Sequence, residues 1–146
     1  MENTGQNLAN HTRWHPPYHF FVLPVLLVNA CWGVYRVWQN PGWDTGEGLL
    51  FAIALVMLGL FARLNALRVQ DRLIRLEENL RYQRLLPGPL AAQAIAGLSP
   101  AQNVALRFAG DTELADLVTK ALAGSLAEPA EIKKAVRNWR GDYFRV

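Results

Sequence analysis

Between residues 18 and 38 apolar side chains run almost without a break, YHFFVLPVLLVNACWGVYRVW, and a second run opens at Gly48. The first run is about 21 residues, matching the ~20 helical residues needed to cross ~30 Å of hydrocarbon. The second begins as hydrocarbon, GLLFAIALVMLGLFA, and ends as a charged surface, RLNALRVQDRLIRLEENLRYQRLL, with no Gly, Pro or turn cluster at the changeover. This pattern predicts one continuous helix over 48–86 that crosses a membrane and runs on into water. Gln39 to Glu47, QNPGWDTGE, carries Pro41, Gly42 and Gly46 and predicts a polar turn. Pro and Gly are the residues that reverse a chain, and so short a link makes the two spans an antiparallel hairpin. Pro24 is expected to bend the first span, because proline has no N–H for the helix ladder.

Past the apolar part, Ala62, Ala66, Val69, Leu73, Leu76 and Leu80 recur at spacings of 4, 3, 4, 3 and 4. That is a heptad-like stripe. Arg68 with Asp71, Asp71 with Arg75, and Glu77 with Arg81 stand at the i,i+3 and i,i+4 spacings that support a solvated helix. Ala66, Val69, Leu73, Leu76 and Leu80 are therefore the first candidate interaction surface. It faces either the C-terminal helices of the same chain or another copy.

Pro87-Gly88-Pro89 stops the long helix, and four short helices follow. Leu90 to Ala96 ends at Gly97. Ser99-Pro100-Ala101-Gln102 has the form of a capping box with Pro at the first helical position, opening a helix to about Phe108. Asp111 is placed to cap Thr112 to Ala123, which Gly124 ends. Pro129 opens a last helix to about Trp139, with Glu131 in its first turn, where a negative charge suits the helix dipole. Val104, Leu106, Phe108, Leu114, Leu117, Val118, Leu122, Ile132, Val136 and Trp139 are the candidate core. A segment of about 57 residues is marginal alone, so it is expected to pack on the stripe. Lys133, Lys134, Arg137 and Arg140 make the last helix basic, a second candidate surface for anionic lipid or an acidic partner.

The fold expected is all-α. A polar tail occupies 1–16, a transmembrane hairpin with an extended second helix 17–86, and a small helical domain 87–146. Composition refines this picture only slightly. Apolar residues make up 51% of the chain, an ordinary share, so it is their concentration before Leu67 that points to a membrane. Net charge is +3, and six Arg against three carboxylates lie between Arg63 and Arg84. Beside an apolar span, that excess serves orientation: by the positive-inside rule it marks the cytoplasmic side, and two spans put both termini there. Trp14, Tyr18, Trp38, Trp43, Arg63 and Arg68 are the expected interface residues. Anionic headgroups are the expected neighbours of the Arg-rich segment, and no nucleic-acid partner is expected.

Candidate chemistry is sparse. His11, His15 and His19 recur at fours, a spacing that on one helix gathers imidazoles for a metal or haem. Pro16 and Pro17 break that helix, however, since a residue before proline is driven from the helical region. His15 and His19 remain as weak cofactor-ligand candidates, with no cofactor or metal site expected. The single Cys31 excludes an intrachain disulfide. The first 15 residues lack the basic and apolar regions of a cleavable signal. No phosphate-loop, dinucleotide, zinc-protease, CxxC or serine-hydrolase motif is present, so a non-enzymatic role is expected.

The segments NVALRFAGDTELADLVTKALAG and EIKKAVRNWRGDYFRV carry the one resemblance. With them the chain resembles an uncharacterised bacterial family of short proteins: two N-terminal transmembrane helices, an Arg-rich helix, an ALRFA segment and a W-x-x-D-x-x-R-V-like tail. Trp139, Asp142, Arg145 and Val146 match the tail. The resemblance implies a membrane protein of unknown function and supplies no catalytic residue. It suggests that the tail docks, with Asp142 and Arg145 pairing to the long helix. The expected role is a scaffold, assembly or interaction subunit of the bacterial inner membrane, with a homo-oligomer or a membrane-protein partner. The alternatives are an oligomeric pore or transport accessory, with Asn29 and Arg63 on a shared pathway, and a small cofactor-bearing subunit using an interfacial His.

Overall fold

The computed structural model describes residues 5–11 and 14–143. Among them the chain is all-helical. A π-helix at Tyr18–Val22 leads into α1 (Leu23–Gln39), followed by α2 (Trp43–Leu85), α3 (Gly88–Gly97), α4 (Pro100–Leu106), α5 (Leu114–Leu122) and α6 (Pro129–Ala135). The only extended pairing among the described residues is a single antiparallel bridge between Ala109 and Trp139. The chain divides into two compact units: the described residues of 13–67, and those of 1–12 with 68–145.

The first unit holds both apolar helices, Tyr18–Gln39 and the start of Trp43–Leu85, each long and apolar enough to cross a membrane. Only 6% of each apolar window is buried, which is not how a soluble protein treats a core helix. Pro24 is the second residue of α1. Having no N–H, it cannot continue the ordinary ladder, and the turn before it is wound wide, with the Leu23 N–H reaching the Tyr18 carbonyl.

The helices meet through small residues. A Cβ on Gly59 would stand 3.1 Å from Leu26 Cδ1, and one on Gly33 would stand 3.1 Å from Leu49 Cδ1. Ala52 is buried, and the Tyr18 hydroxyl donates to the Gly59 carbonyl at 3.3 Å. These contacts pair residues in reverse order, so the helices run antiparallel. Small residues at the contact permit such close approach of the two backbones.

The turn between them is shorter than the nine polar residues suggest. Only Asn40, Pro41 and Gly42 lie outside helix. Thr45 explains this: its buried hydroxyl accepts the Gly42 N–H at 3.1 Å and sits 2.9 Å from the Asn40 carbonyl. The side chain thus caps the helix that residues 43–47 were expected to precede. Asp44 then falls in the first turn, where its charge suits the helix dipole.

The second unit is built on the C-terminal part of α2. Tyr82 and Leu86 join Ala91, Ala94, Leu98, Ala105, Leu106, Ala109, Leu114, Leu117, Val118, Ala121, Ile132 and Val136 in one core. Phe108 is also fully buried, Leu122 and Trp139 are partly buried against the core, and Val104 is only half-buried. The Ser99–Gln102 capping box forms in both directions, at 3.2 and 2.9 Å. Gly124, at φ +78°, ends α5.

Three expectations fail here. Asp111 does not cap α5, because Arg81 engages its carboxylate. The last helix ends at Ala135, not at Trp139. The Glu113 carboxylate takes the N–H groups of Arg137 and Asn138 at 3.1 and 2.9 Å, which draws the chain out of helix and lets Trp139 bridge to Ala109. Finally, the C-terminal helices do not pack on the Val69–Leu80 stripe. They pack on the face carrying Glu78, Arg81 and Tyr82, all buried, while Val69, Leu73, Leu76 and Leu80 are each more than half exposed.

Candidate functional site

Glu78, Arg81 and Tyr82 stand at i, i+3 and i+4 on α2, and so share one face of the helix. Arg81 is the centre of the arrangement. Its Nη1 donates to Glu78 Oε2 at 3.1 Å, its Nε and Nη2 donate to Asp111 Oδ1 at 3.0 and 2.6 Å, and Nη2 also donates to the Ala109 carbonyl at 2.6 Å. The Arg81 and Glu78 side chains are 4% and 3% exposed, so the guanidinium survives burial only because its planar donors are nearly all used. Arg140 reaches the other Glu78 oxygen at 3.4 Å. One helical turn away from Glu78, the Tyr82 hydroxyl donates to Asn103 Oδ1 at 3.0 Å, and Asn103 donates to the Ser99 carbonyl at 2.9 Å.

Burial pushes the Glu78 carboxyl above its usual range, and Arg81 pulls it only part of the way back. Burial, with the Glu78 charge beside it, likewise holds the Tyr82 phenol above its ordinary value. The hydrogen bonds from Arg81 hold Asp111 below the carboxylate range. The two acids therefore respond to pH with opposite signs. Asp111 contributes stability above its unfolded value, lost as pH falls through its folded one. Glu78 binds its proton more tightly folded than unfolded, so its contribution is full below about pH 4.5, its ordinary value, and is lost as pH rises through its folded value. Glu78→Gln is accordingly expected to flatten the fall of stability with pH above about pH 4.5. Urea midpoints across a pH series check this, and an unchanged slope would show that Glu78 is not its source.

Next to this cluster lies a cavity of about 640 Å³, lined by Arg81, Arg84, Arg107 and Arg140 against Glu77, Glu78 and Asp142. Asp142 pairs with Arg107 at 3.1 Å, and its N–H donates to Gln6 at 2.7 Å. Asp142 therefore docks onto Arg107 of the ALRFA segment and not, as the resemblance suggests, onto the long helix. The tail reaches that helix instead through Arg140 and Glu78. Arg145 and Val146 lie outside the described residues. With Asp111 included, positive and negative side chains balance, and the lining holds neither a histidine nor a cysteine. This arrangement is a latch between α2 and the C-terminal segment.

The histidines do not form one site. His19 Nδ1 lies 3.0 Å from the His15 carbonyl and 3.2 Å from the His15 N–H, so its ring is tied to the backbone four residues back. His11 packs on the rings of Phe108 and Trp139 at 5.8 and 6.0 Å, with Lys133 Nζ 3.3 Å from its Nε2. Lysine only donates, so Nε2 accepts and Nδ1 carries the proton, donating to the Leu8 carbonyl at 2.7 Å. Among the described residues no cluster of three or more His, Cys, Asp or Glu is placed to hold a metal ion.

The basic residues of the last helix are also separated. Lys133 is half-buried against Phe108 and Lys134 is exposed, while Arg137 and Arg140 lie beyond the end of α6. Of the expected interface residues, Trp38 and Trp43 bracket the turn and are strongly exposed, as is Trp14, while Tyr18 is half-buried with its hydroxyl on Gly59. Arg63 is half-buried, and Arg68 and Asn29 are exposed.

The profile of one family matches residues 1–146, the whole chain. The chain belongs to DUF6526, a family of unknown function. No curated protein and no solved structure matches it. The DUF6526 match agrees with the uncharacterised class that the ALRFA segment and the tail suggested. The match spans both units. The latch residues Glu78, Arg81, Tyr82, Asn103 and Asp111 were not singled out from the sequence as a site. The signal available was the i,i+3,i+4 spacing of Glu78, Arg81 and Tyr82, which reads equally well as a solvated face.

Proposed function

We propose that this protein is a non-enzymatic membrane anchor of the bacterial inner membrane, a scaffold or assembly subunit that presents its C-terminal unit at the cytoplasmic face. The observation that carries this reading is the 6% burial of the two apolar windows. Helices so apolar and so little covered by their own chain need hydrocarbon around them. The Arg excess after residue 62 supports a cytoplasmic location for that end of α2 and, with two spans, for both termini. The latch supports a non-catalytic role, because its carboxylates and guanidinium groups are spent on one another.

Alkaline carbonate extraction of native membranes, with protease added to inverted vesicles, tests the anchor and its orientation. Retention in the pellet, with the C-terminal unit cleaved only in inverted vesicles, is expected. Release into the supernatant would overturn the anchor, and cleavage from the other side the orientation.

A further inference from the structure

We propose that α2 pairs, parallel and in register, with α2 of a second copy through Val69, Leu73, Leu76 and Leu80. The inference rests on the two-span reading in one respect: copies inserted alike in one membrane can bring these segments together only in parallel.

The argument starts from which faces of α2 are occupied. In heptad terms Leu73 and Leu80 are a positions, and Val69 and Leu76 are d positions. Ile74 and Arg81 are then b, Tyr82 is c and Glu78 is f, the side opposite the seam. All four are buried, and Glu78, Arg81 and Tyr82 are bonded to residues 103–140 of the same chain, while the seam residues are 54–66% exposed. The fold therefore covers the polar-looking face with its own residues and leaves the apolar one open. A monomeric surface helix would do the reverse.

The flanking charges choose the occupant. In a parallel pair, a g residue of one helix meets the e residue five positions later on the other. Arg72 is g and Glu77 is e, five apart. On their own helix they lie on opposite flanks of the seam, and among the described residues no ion pair within the chain engages either. Across a parallel pair each Arg72 meets Glu77 of the other copy, twice by symmetry. The remaining g–e pairs, Asn65 with Gln70 and Asn79 with Arg84, contain no like charges. This complementarity belongs to a second copy of this chain and to no generic apolar partner. Anchoring in a membrane raises the local concentration at which so short a seam must work.

The test is disulfide cross-linking of the full chain in native membranes, in a Cys31→Ser background. Val69→Cys, Leu73→Cys, Leu76→Cys and Leu80→Cys are each expected to give same-residue dimers several-fold above Arg68→Cys and Arg75→Cys, which lie at c positions. In the Leu76→Cys chain, Arg72→Glu should lower the dimer several-fold, and adding Glu77→Arg should restore it. Equal yields at seam and control positions overturn the proposal, as does a charge swap that fails to rescue. Seam cysteines that are shielded without forming dimers point to a different partner and overturn it too. Carbonate extraction of the same membranes separates the two readings. Retained protein without the cross-linking pattern removes the pairing alone, and released protein with the pattern removes the anchor alone.

Discussion

Arg81→Met is expected to cost the C-terminal unit about 3–5 kcal/mol, the range found when one partner of a buried ion pair is removed. Most of that loss comes from what the substitution leaves behind. Glu78, 3% exposed, would keep only Arg140, whose own side chain is 55% exposed and 3.4 Å away. The Ala109 carbonyl would lose its 2.6 Å donor. Asp111 is more than half exposed and would rehydrate with little loss. Small domains hold only about 5–15 kcal/mol in total, so the variant should lie near unfolding. Urea-dependent proteolysis of the detergent-solubilised chain reads this as a large fall in midpoint.

The same reasoning gives a control. Glu78→Met with Arg81→Met removes both charges at similar volume and should recover much of the loss, since buried pairs are often replaceable by apolar side chains. A single Arg81→Met chain with a midpoint close to the parent's would show that the latch does not hold the unit together.

The punctuation of the fold was legible in the sequence because it depends on local chemistry. Ser99 and Gln102 cap each other whatever surrounds them, and Gly124 is needed where φ turns positive. The two apolar runs were legible by length alone. Most of what failed depends on residues distant in sequence, and the rest on a local contact that leaves no mark in the pattern. Glu113 decides where α6 ends, twenty-odd residues away, through N–H groups that any helix prediction assigns to the ladder. Thr45 shortens the turn by a contact three to five residues back, and a Thr among Gly and Pro gives no sign of it.

The candidate site was illegible for a sharper reason. A search for buried positions follows apolar residues, and on α2 it finds Val69, Leu73, Leu76 and Leu80. The buried face instead carries Glu78 and Arg81, whose burial is affordable only because Ala109, Asp111 and Arg140 supply partners from beyond two chain reversals. No pattern within α2 encodes those partners. The same misassignment is informative, since the stripe that the periodicity picked out remains uncovered by the chain that contains it.

Phe108→Ala should be the most damaging change in the ALRFA segment, at about 3–5 kcal/mol for truncating a buried Phe. Phe108 is fully buried, and its ring is a meeting point. Trp139 lies 5.0 Å away, His11 meets it edge-on at 5.8 Å, and Lys133 stands over it at 5.9 Å. Its carbonyl takes the Arg140 N–H at 2.8 Å, so its position also sets where Arg140 departs toward Glu78. Removing the ring therefore opens a cavity and also withdraws the wall on which His11 and Trp139 rest. Hydrogen exchange on the full chain distinguishes these effects. A loss confined to the cavity raises exchange evenly through α4 to α6, whereas loss of the wall adds early exchange at Leu8 to His11 and at Arg140. Phe108→Leu keeps most of the volume and should cost distinctly less. If it proves as destabilising as alanine, the aromatic contacts outweigh packing at this position.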